Sequence, residues 1–229
     1  MPSAVLVAGG TGALGHGVLT ALLGAGHPVT ATWVAEHELE RIQADFGDRD
    51  ALTLVQADLM DPLAVDAVVA GVDSLGAVVN LVGGYAGGKK AHEIEPEDFD
   101  SMLRVNLRPL FLLARAAAPR LVDAGGGAIV GVSARAALDP GPGQAAYNTA
   151  KAGVLALIRS LDADYRDAGV RANAVLPSVI DTPANRAAMP NSDHSKWVPP
   201  EQIGAVIRFL VSEESAPTSG AAIPVYGRA

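Results

Sequence analysis

Cysteine is absent from the 229 residues. That excludes a disulfide framework, a thiolate zinc site and a cysteine nucleophile. Aromatic residues make up only 4%, too few to tile a base-stacking surface. Positive charge is scarce as well: 17 Lys and Arg face 25 Asp and Glu, for a net charge of -8 with no basic run. Nucleic acid is excluded as a partner, because phosphate contacts need clustered Lys and Arg. No apolar run reaches the roughly 18 residues of a membrane helix. The opening stretch, Met1 to Gly15, has neither a basic segment nor a small-residue cleavage site, so it is no signal peptide. No membrane contact and a cytoplasmic location are expected. His16, His27, His37, His92 and His194 are scattered without ligand spacing, and no metal is expected.

Hydrophobic residues are abundant, at 49%, and their arrangement is regular. Short apolar runs predict strands at Ala4–Ala8, Val29–Trp33, Leu52–Gln56, Ala77–Val82, Ala128–Val132, Arg171–Leu176 and Ile223–Val225. Most are apolar nearly throughout, as strands covered on both faces are. Helical patterns lie between them, at Leu14–Ala25, Glu36–Phe46, Pro62–Val72, Pro96–Asp123, Ala145–Ala168 and Pro200–Ser212. The alternation implies right-handed βαβ units in an α/β fold, a doubly wound parallel sheet of about seven strands with helices on both faces. No linker or repeat divides the chain, so residues 1–229 form a single domain. Two segments interrupt the rhythm. Tyr85 to Glu95 reads as a loop, and its Lys89-Lys90 pair as solvated. Thr182 to Pro199 is Pro-bearing and polar, and residues 183–199 are expected to form a lid over a site.

Gly9, Gly12 and Gly15 follow the first strand directly and open the first helix. Glycine permits a tight turn and close approach of backbone to ligand. The helix start that follows offers free N–H groups to a pyrophosphate. The second strand ends at Trp33 and Val34, where an acidic residue would grip a ribose hydroxyl or a following Arg a 2′-phosphate. Neither is there, and the choice between NAD and NADP stays open. Tyr147 and Lys151 lie one helical turn apart on one face. A phenol is a weak acid at neutral pH, and a nearby ammonium is expected to lower its pKa. Such a pair can pass a proton to or from a carbonyl or alcohol oxygen. Pro109 cannot donate to the carbonyl of Val105, so the helix should kink beside Asn106.

These motifs, in this order, resemble the short-chain dehydrogenase/reductase family over essentially the whole chain. Gly9-Gly10-Thr11-Gly12-Ala13-Leu14-Gly15 is similar to its cofactor turn. Asp58-Leu59 resembles its adenine contact, and Asn80-Leu81-Val82-Gly83 the segment closing its fourth strand. Asn106, in Arg104-Val105-Asn106-Leu107, resembles the helix Asn of its catalytic tetrad. Tyr147-Asn148-Thr149-Ala150-Lys151 resembles the active-site helix. Pro177-Ser178-Val179-Ile180-Asp181-Thr182-Pro183 resembles the segment whose Ile and Thr hold the nicotinamide carboxamide. The family's serine thirteen positions before the Tyr is replaced here by Ala134, one residue after Ser133. Gly83-Gly84-Tyr85-Ala86-Gly87-Gly88 and the segment from Ser133 look like the dihydropteridine-reductase-like branch, which keeps Tyr and Lys without that serine.

The resemblance implies a Rossmann domain and NAD(P)(H) as cofactor. It places cofactor contacts at Gly9, Thr11, Gly12, Ala13, Leu14, Gly15, Trp33, Asp58, Leu59, Asn80, Val82, Gly83, Tyr147, Lys151, Pro177, Ile180 and Thr182. Tyr147 would be the acid–base group. Lys151 would tune Tyr147 and hold the nicotinamide ribose, Asn106 would anchor a water leading to Lys151, and Ser133 would bond the substrate oxygen. Ser133 reads equally well as a strand-end hydroxyl satisfied by backbone. Tyr85, Met189 and Trp197 are candidates to line or cover a small-molecule substrate pocket. The helical segments Leu103–Leu121 and Val154–Leu161 are apolar on more than one face, and with the resemblance they imply a homotetramer or homodimer. The reading is an oxidoreductase moving hydride between nicotinamide and a small carbonyl or alcohol, or a conjugated C=N or C=C. The alternative is a dinucleotide-binding sensor or scaffold that has lost catalysis.

Overall fold

The computed structural model describes residues 2–47 and 49–228. They form β1 (Ala4–Ala8), α1 (Gly15–Gly24), β2 (Val29–Trp33), α2 (Glu36–Phe46), β3 (Leu52–Gln56), α3 (Pro62–Ala70) and β4 (Leu75–Asn80). Then follow α4 (Pro96–Asn106), α5 (Arg108–Asp123), β5 (Gly127–Val132), α6 (Ala145–Tyr165), β6 (Val170–Pro177), α7 (Pro183–Ala188), α8 (Pro200–Val211) and β7 (Ala222–Val225). The seven strands make one sheet in the order β3-β2-β1-β4-β5-β6-β7, and every pairing is parallel. The doubly wound Rossmann-type sheet expected from the sequence is present.

The unbroken apolar runs have a direct cause. Along β1, Ala4, Leu6 and Ala8 join a core layer that includes Leu110, Leu113 and Ile158. Val5 and Val7 join the opposite layer, with Leu19, Leu22, Ile203 and Ile207. Alternate side chains enter opposite layers, and both layers are buried. On the second face α1 and α8 touch through their backbones. A Cβ on Gly204 would stand 2.3 Å from the carbonyl oxygen of Gly17.

Some boundaries differ from the sequence expectation. The fourth strand runs Leu75–Asn80, so Leu81 and Val82 lie beyond its end. The helix expected over Pro96–Asp123 is two helices meeting at Leu107. Pro109 withholds the N–H that would continue the ladder to Val105, and the break falls beside Asn106 as its position demands. The helix expected to reach Ala168 ends at Tyr165, in a short 3-10 turn and Gly169 with φ +80°. The segment before Pro199 is more structured than its composition suggests. It holds α7, a 3-10 turn at His194–Lys196, and a parallel bridge from Ile180 to Val198. Trp197 is buried and packs against His194 with ring centroids 4.3 Å apart and the planes tilted by 42°, so it fastens this segment down.

Candidate active site

In a parallel sheet of this order the chain leaves β1 and β4 toward opposite sides, and a crevice opens at the carboxyl ends of those strands. The motif residues gather there. The glycine turn leaves β1, Asn80 ends β4, Val132 ends β5 with Ser133 just beyond it, and Pro177 ends β6. Helix α6 brings Tyr147 and Lys151 to the same edge.

The turn is shaped for close contact. Gly9 has φ +71° and donates its N–H to Thr32 Oγ1 at 2.9 Å. A Cβ on Gly15 would lie 1.9 Å from the Gly10 carbonyl oxygen, so only glycine lets the turn close onto the helix. No side chain caps α1; the Gly15 N–H donates to the Gly12 carbonyl at 3.0 Å, and the N–H groups that follow in the first turn are left for an anion or solvent. Two residues of α2 grip this turn. The Thr11 hydroxyl donates to Glu38 Oε2 at 3.1 Å, and Arg41 Nη2 donates to the Thr11 carbonyl at 2.5 Å. Arg41 carried no sequence signal, because nothing in an exposed helix shows which loop it will reach. Asp58 is exposed and accepts the Met60 N–H, while Leu59 is buried. Trp33 is half-buried at the end of β2.

Next to the turn, Asn80 is buried with its Oδ1 unpartnered, and its Nδ2 reaches only the Val82 carbonyl, at 3.5 Å. A buried orphan acceptor is costly and asks for a donor. Asn106 is fully buried at the break between α4 and α5. Its Oδ1 accepts the Gly84 N–H at 3.1 Å and its Nδ2 donates to the Met102 carbonyl at 3.1 Å. A Cβ on Gly83 would stand 2.8 Å from Asn106 Oδ1 and 3.1 Å from Lys151 Nζ. Asn106 and Lys151 therefore converge on one point, and glycine keeps it clear.

Lys151 is buried on α6 and donates to the Val132 carbonyl at 3.1 Å. Burial brings its pKa down to about 8. Its Nζ lies 5.8 Å from the centre of the Tyr147 ring. Burial pushes the Tyr147 phenol up to about 12, with a smaller push from Tyr85. This differs from the expectation that the ammonium lowers the pKa of the phenol. At this separation desolvation wins, and Tyr147 rests as a protonated acid.

Of the two readings of Ser133, the strand-end hydroxyl satisfied by backbone is the one the geometry matches. Ser133 is 2% exposed, and its hydroxyl donates to the Lys151 carbonyl at 2.7 Å. The proton meant for a substrate oxygen is spent tying β5 to α6. The position that matches the family's serine by spacing is Ala134, whose side chain has nothing to donate. Farther along, Thr182 caps α7 by accepting the Asn185 N–H, and Asn185 Nδ2 holds the Ile180 carbonyl at 2.8 Å. Lys89 is exposed and paired with Asp98 at 3.0 Å. Among the described residues no group of three or more acidic or imidazole side chains could hold a metal, and no helix is long and apolar enough to cross a membrane.

Residues 3–193 match the short chain dehydrogenase family. The chain belongs to the short-chain dehydrogenases. It is 31% identical to a 2-(R)-hydroxypropyl-CoM dehydrogenase of Xanthobacter autotrophicus, with 99% of this chain and 98% of that one covered. It is also 31% identical to a D-threitol dehydrogenase of Mycolicibacterium smegmatis, covering 97% and 90%. Among solved structures, a 3-ketoacyl-(acyl-carrier-protein) reductase from Brucella melitensis complexed with NADH superposes with TM-score 0.87 at 26% identity, covering 99% and 98%. ElxO with NADP bound shares the fold at TM-score 0.91 and 22% identity, covering 99% and 98%. This short-chain dehydrogenase is an NAD(P)-dependent oxidoreductase. The uncapped helix, the glycine turn and the orphan Asn80 oxygen all fit a dinucleotide.

Proposed function

We propose that the enzyme interconverts a small carbonyl compound and its alcohol, with Tyr147 as the proton donor and acceptor. Both curated relatives described above are named for hydroxyl-bearing substrates, which supports this class over conjugated C=N or C=C bonds. One observation carries the reading: the Tyr147 phenol stands at the crevice with a buried ammonium one helical turn away. The glycine turn, the start of α1, Asn80, Val82 and Gly83 would hold the dinucleotide on one side. Lys151, Pro177, Ile180 and Thr182 would hold it on the other. Bound there, it supplies or accepts the hydride.

The residues then divide the work. In reduction the phenol, held protonated by burial, gives its proton to the substrate oxygen as negative charge develops. Lys151, with a pKa of about 8, can return a proton to Tyr147 near neutral pH. Asn106 fixes the Gly84 backbone and, with it, the clear space at Gly83 beside Lys151. Substrate enters beneath residues 183–199. The work is done in the cytoplasm by a dimer or tetramer. Its contact face would be the groove of about 710 Å³ lined by Leu103, Leu107, Phe111, Gly153 and Leu157 together with Arg104 and Arg108.

The test is turnover of diacetyl and phenanthrenequinone, activated carbonyls that need little recognition. Tyr147→Phe should lower turnover by about 10²–10⁴-fold while leaving nicotinamide binding, read by fluorescence, intact. Retained turnover would overturn the acid–base role. A wild type that binds nucleotide tightly but turns over neither probe would favour the sensor reading, for which Ala134 speaks.

A further inference from the structure

We propose that Tyr85 donates to the substrate oxygen the hydrogen bond that Ala134 cannot give. This rests on the carbonyl-reducing reading above. The site has lost one donor, and the loss is complete. Ala134 has no hydroxyl, and the neighbouring Ser133 proton goes to the Lys151 carbonyl.

A second phenol stands beside the first. The rings of Tyr85 and Tyr147 are 5.1 Å apart, centre to centre, and meet edge to face at 77°. Tyr85 is 63% exposed, although a large aromatic usually gains by burial. Its hydroxyl is already placed. Gln144 Nε2 donates to Tyr85 Oη at 3.1 Å. The phenol oxygen thus spends acceptor capacity on Gln144 and keeps its own proton for another partner.

The chain is built around this hydroxyl. A Cβ on Gly87 would lie 2.5 Å from Tyr85 Oη. The Gly88 N–H donates to the Gly143 carbonyl at 2.8 Å, stapling the loop after β4 to the entrance of α6. At the other end of the loop, Gly84 is held by Asn106. The hydroxyl is therefore held by Gln144 and packed against Gly87, on a loop fastened at both ends, and the ring edge meets Tyr147.

The step balances with NAD(P)H as reductant. Hydride adds to the carbonyl carbon, the C=O π pair moves onto oxygen, and oxygen takes the Tyr147 proton. Tyr85 keeps its proton throughout. Its hydrogen bond strengthens as the oxygen gains charge, which makes it a donor of the oxyanion-hole kind.

The experiment is a double-mutant cycle between Tyr85→Phe and Ala134→Ser, read with diacetyl and phenanthrenequinone. Tyr85→Phe keeps the ring and the edge contact and removes only the hydroxyl. It should lower kcat by about 10–10³-fold, with KM and NAD(P)H fluorescence titration little changed. Ala134→Ser should restore much of that loss in the Tyr85→Phe background and add little to the wild type. A Tyr85→Phe enzyme within about twofold of wild type in kcat would overturn the proposal. So would an equal effect of Ala134→Ser in both backgrounds, because independent sites add. Tyr147→Phe in the same assay separates the two readings. If it abolishes turnover while Tyr85→Phe does not, only the Tyr85 proposal fails. If it leaves turnover intact, the acid–base reading fails first.

Discussion

Helix α6 carries two buried charges about three turns apart, and they are treated in opposite ways. Near its end the Asp162 carboxylate is 3% exposed. It accepts from Arg166 Nη2 and Nε and from Ser219 Oγ. The Arg166 guanidinium, with help from Ser219, holds its pKa below the usual carboxylate value. Near the start, Lys151 has the Val132 carbonyl as partner, and burial alone accounts for its lowered pKa. A satisfied charge is built to stay charged and fasten things. Here Ser219 also accepts the Ala172 N–H, so the pair binds α6, β6 and the approach to β7 together. A buried ammonium without an anion costs stability and is kept for another reason. The difference sorts a fastening from a working group on one helix.

The sharpest way to break this contrast is Lys151→Met. If the lysine is the working group, turnover of an activated carbonyl should fall by about 10²–10⁴-fold. The variant should also unfold at higher urea concentration than wild type at pH 7. The cost relieved is about 3.5 kcal/mol for a pKa brought from 10.5 to about 8, at roughly 1.4 kcal/mol per unit. About 1 kcal/mol is lost again by orphaning the Val132 carbonyl. Lower activity with lower stability would make Lys151 a fastening after all.

Asp162→Ala should give the mirror image. It leaves the Ser219 hydroxyl and Arg166 without their acceptor, and stability should fall by about 1–3 kcal/mol. Turnover at 25 °C should stay within about twofold of wild type. The urea midpoint reads the first and an unchanged m-value shows that the folded state keeps its extent. A large loss of turnover in fully folded Asp162→Ala would mean that the two ends of α6 are coupled.

Much of this contrast was legible in the residues themselves. The glycine turn, the Tyr147–Lys151 spacing and the strand–helix alternation are local patterns, and the sheet follows from them. The break at Leu107 was legible too, because Pro109 acts on its own helix. Partnerships across distant segments were not. Whether Ser133 faces the crevice or the Lys151 carbonyl depends on how β5 meets α6. The direction of the Tyr147 pKa depends on burial and on a 5.8 Å separation that a four-residue spacing does not specify. Arg41 reaches Thr11 across thirty positions, and Gln144 reaches Tyr85 across fifty-nine. No periodicity in the sequence carries such pairings.

The smallest and most discriminating effect is the pH at which each variant's difference from wild type disappears. Unfolded Lys151 holds its proton up to about 10.5, whereas the folded residue releases it near 8. Between those values the unfolded chain binds more protons, so wild-type stability rises with pH relative to Lys151→Met. The advantage of the methionine should be full at pH 7, shrink from about pH 8 and be gone by about 10.5. For Asp162 the sign reverses. Its folded pKa lies below 3.8, so its contribution is present above that value and is lost as pH falls through the lower one. The deficit of Asp162→Ala should therefore shrink only in acid. Urea midpoints across this range at fixed ionic strength would show one gap closing at each end. If the Lys151→Met gap stayed constant from pH 7 to 10.5, the lysine would keep one protonation state throughout, and it could not relay a proton to Tyr147 in that range.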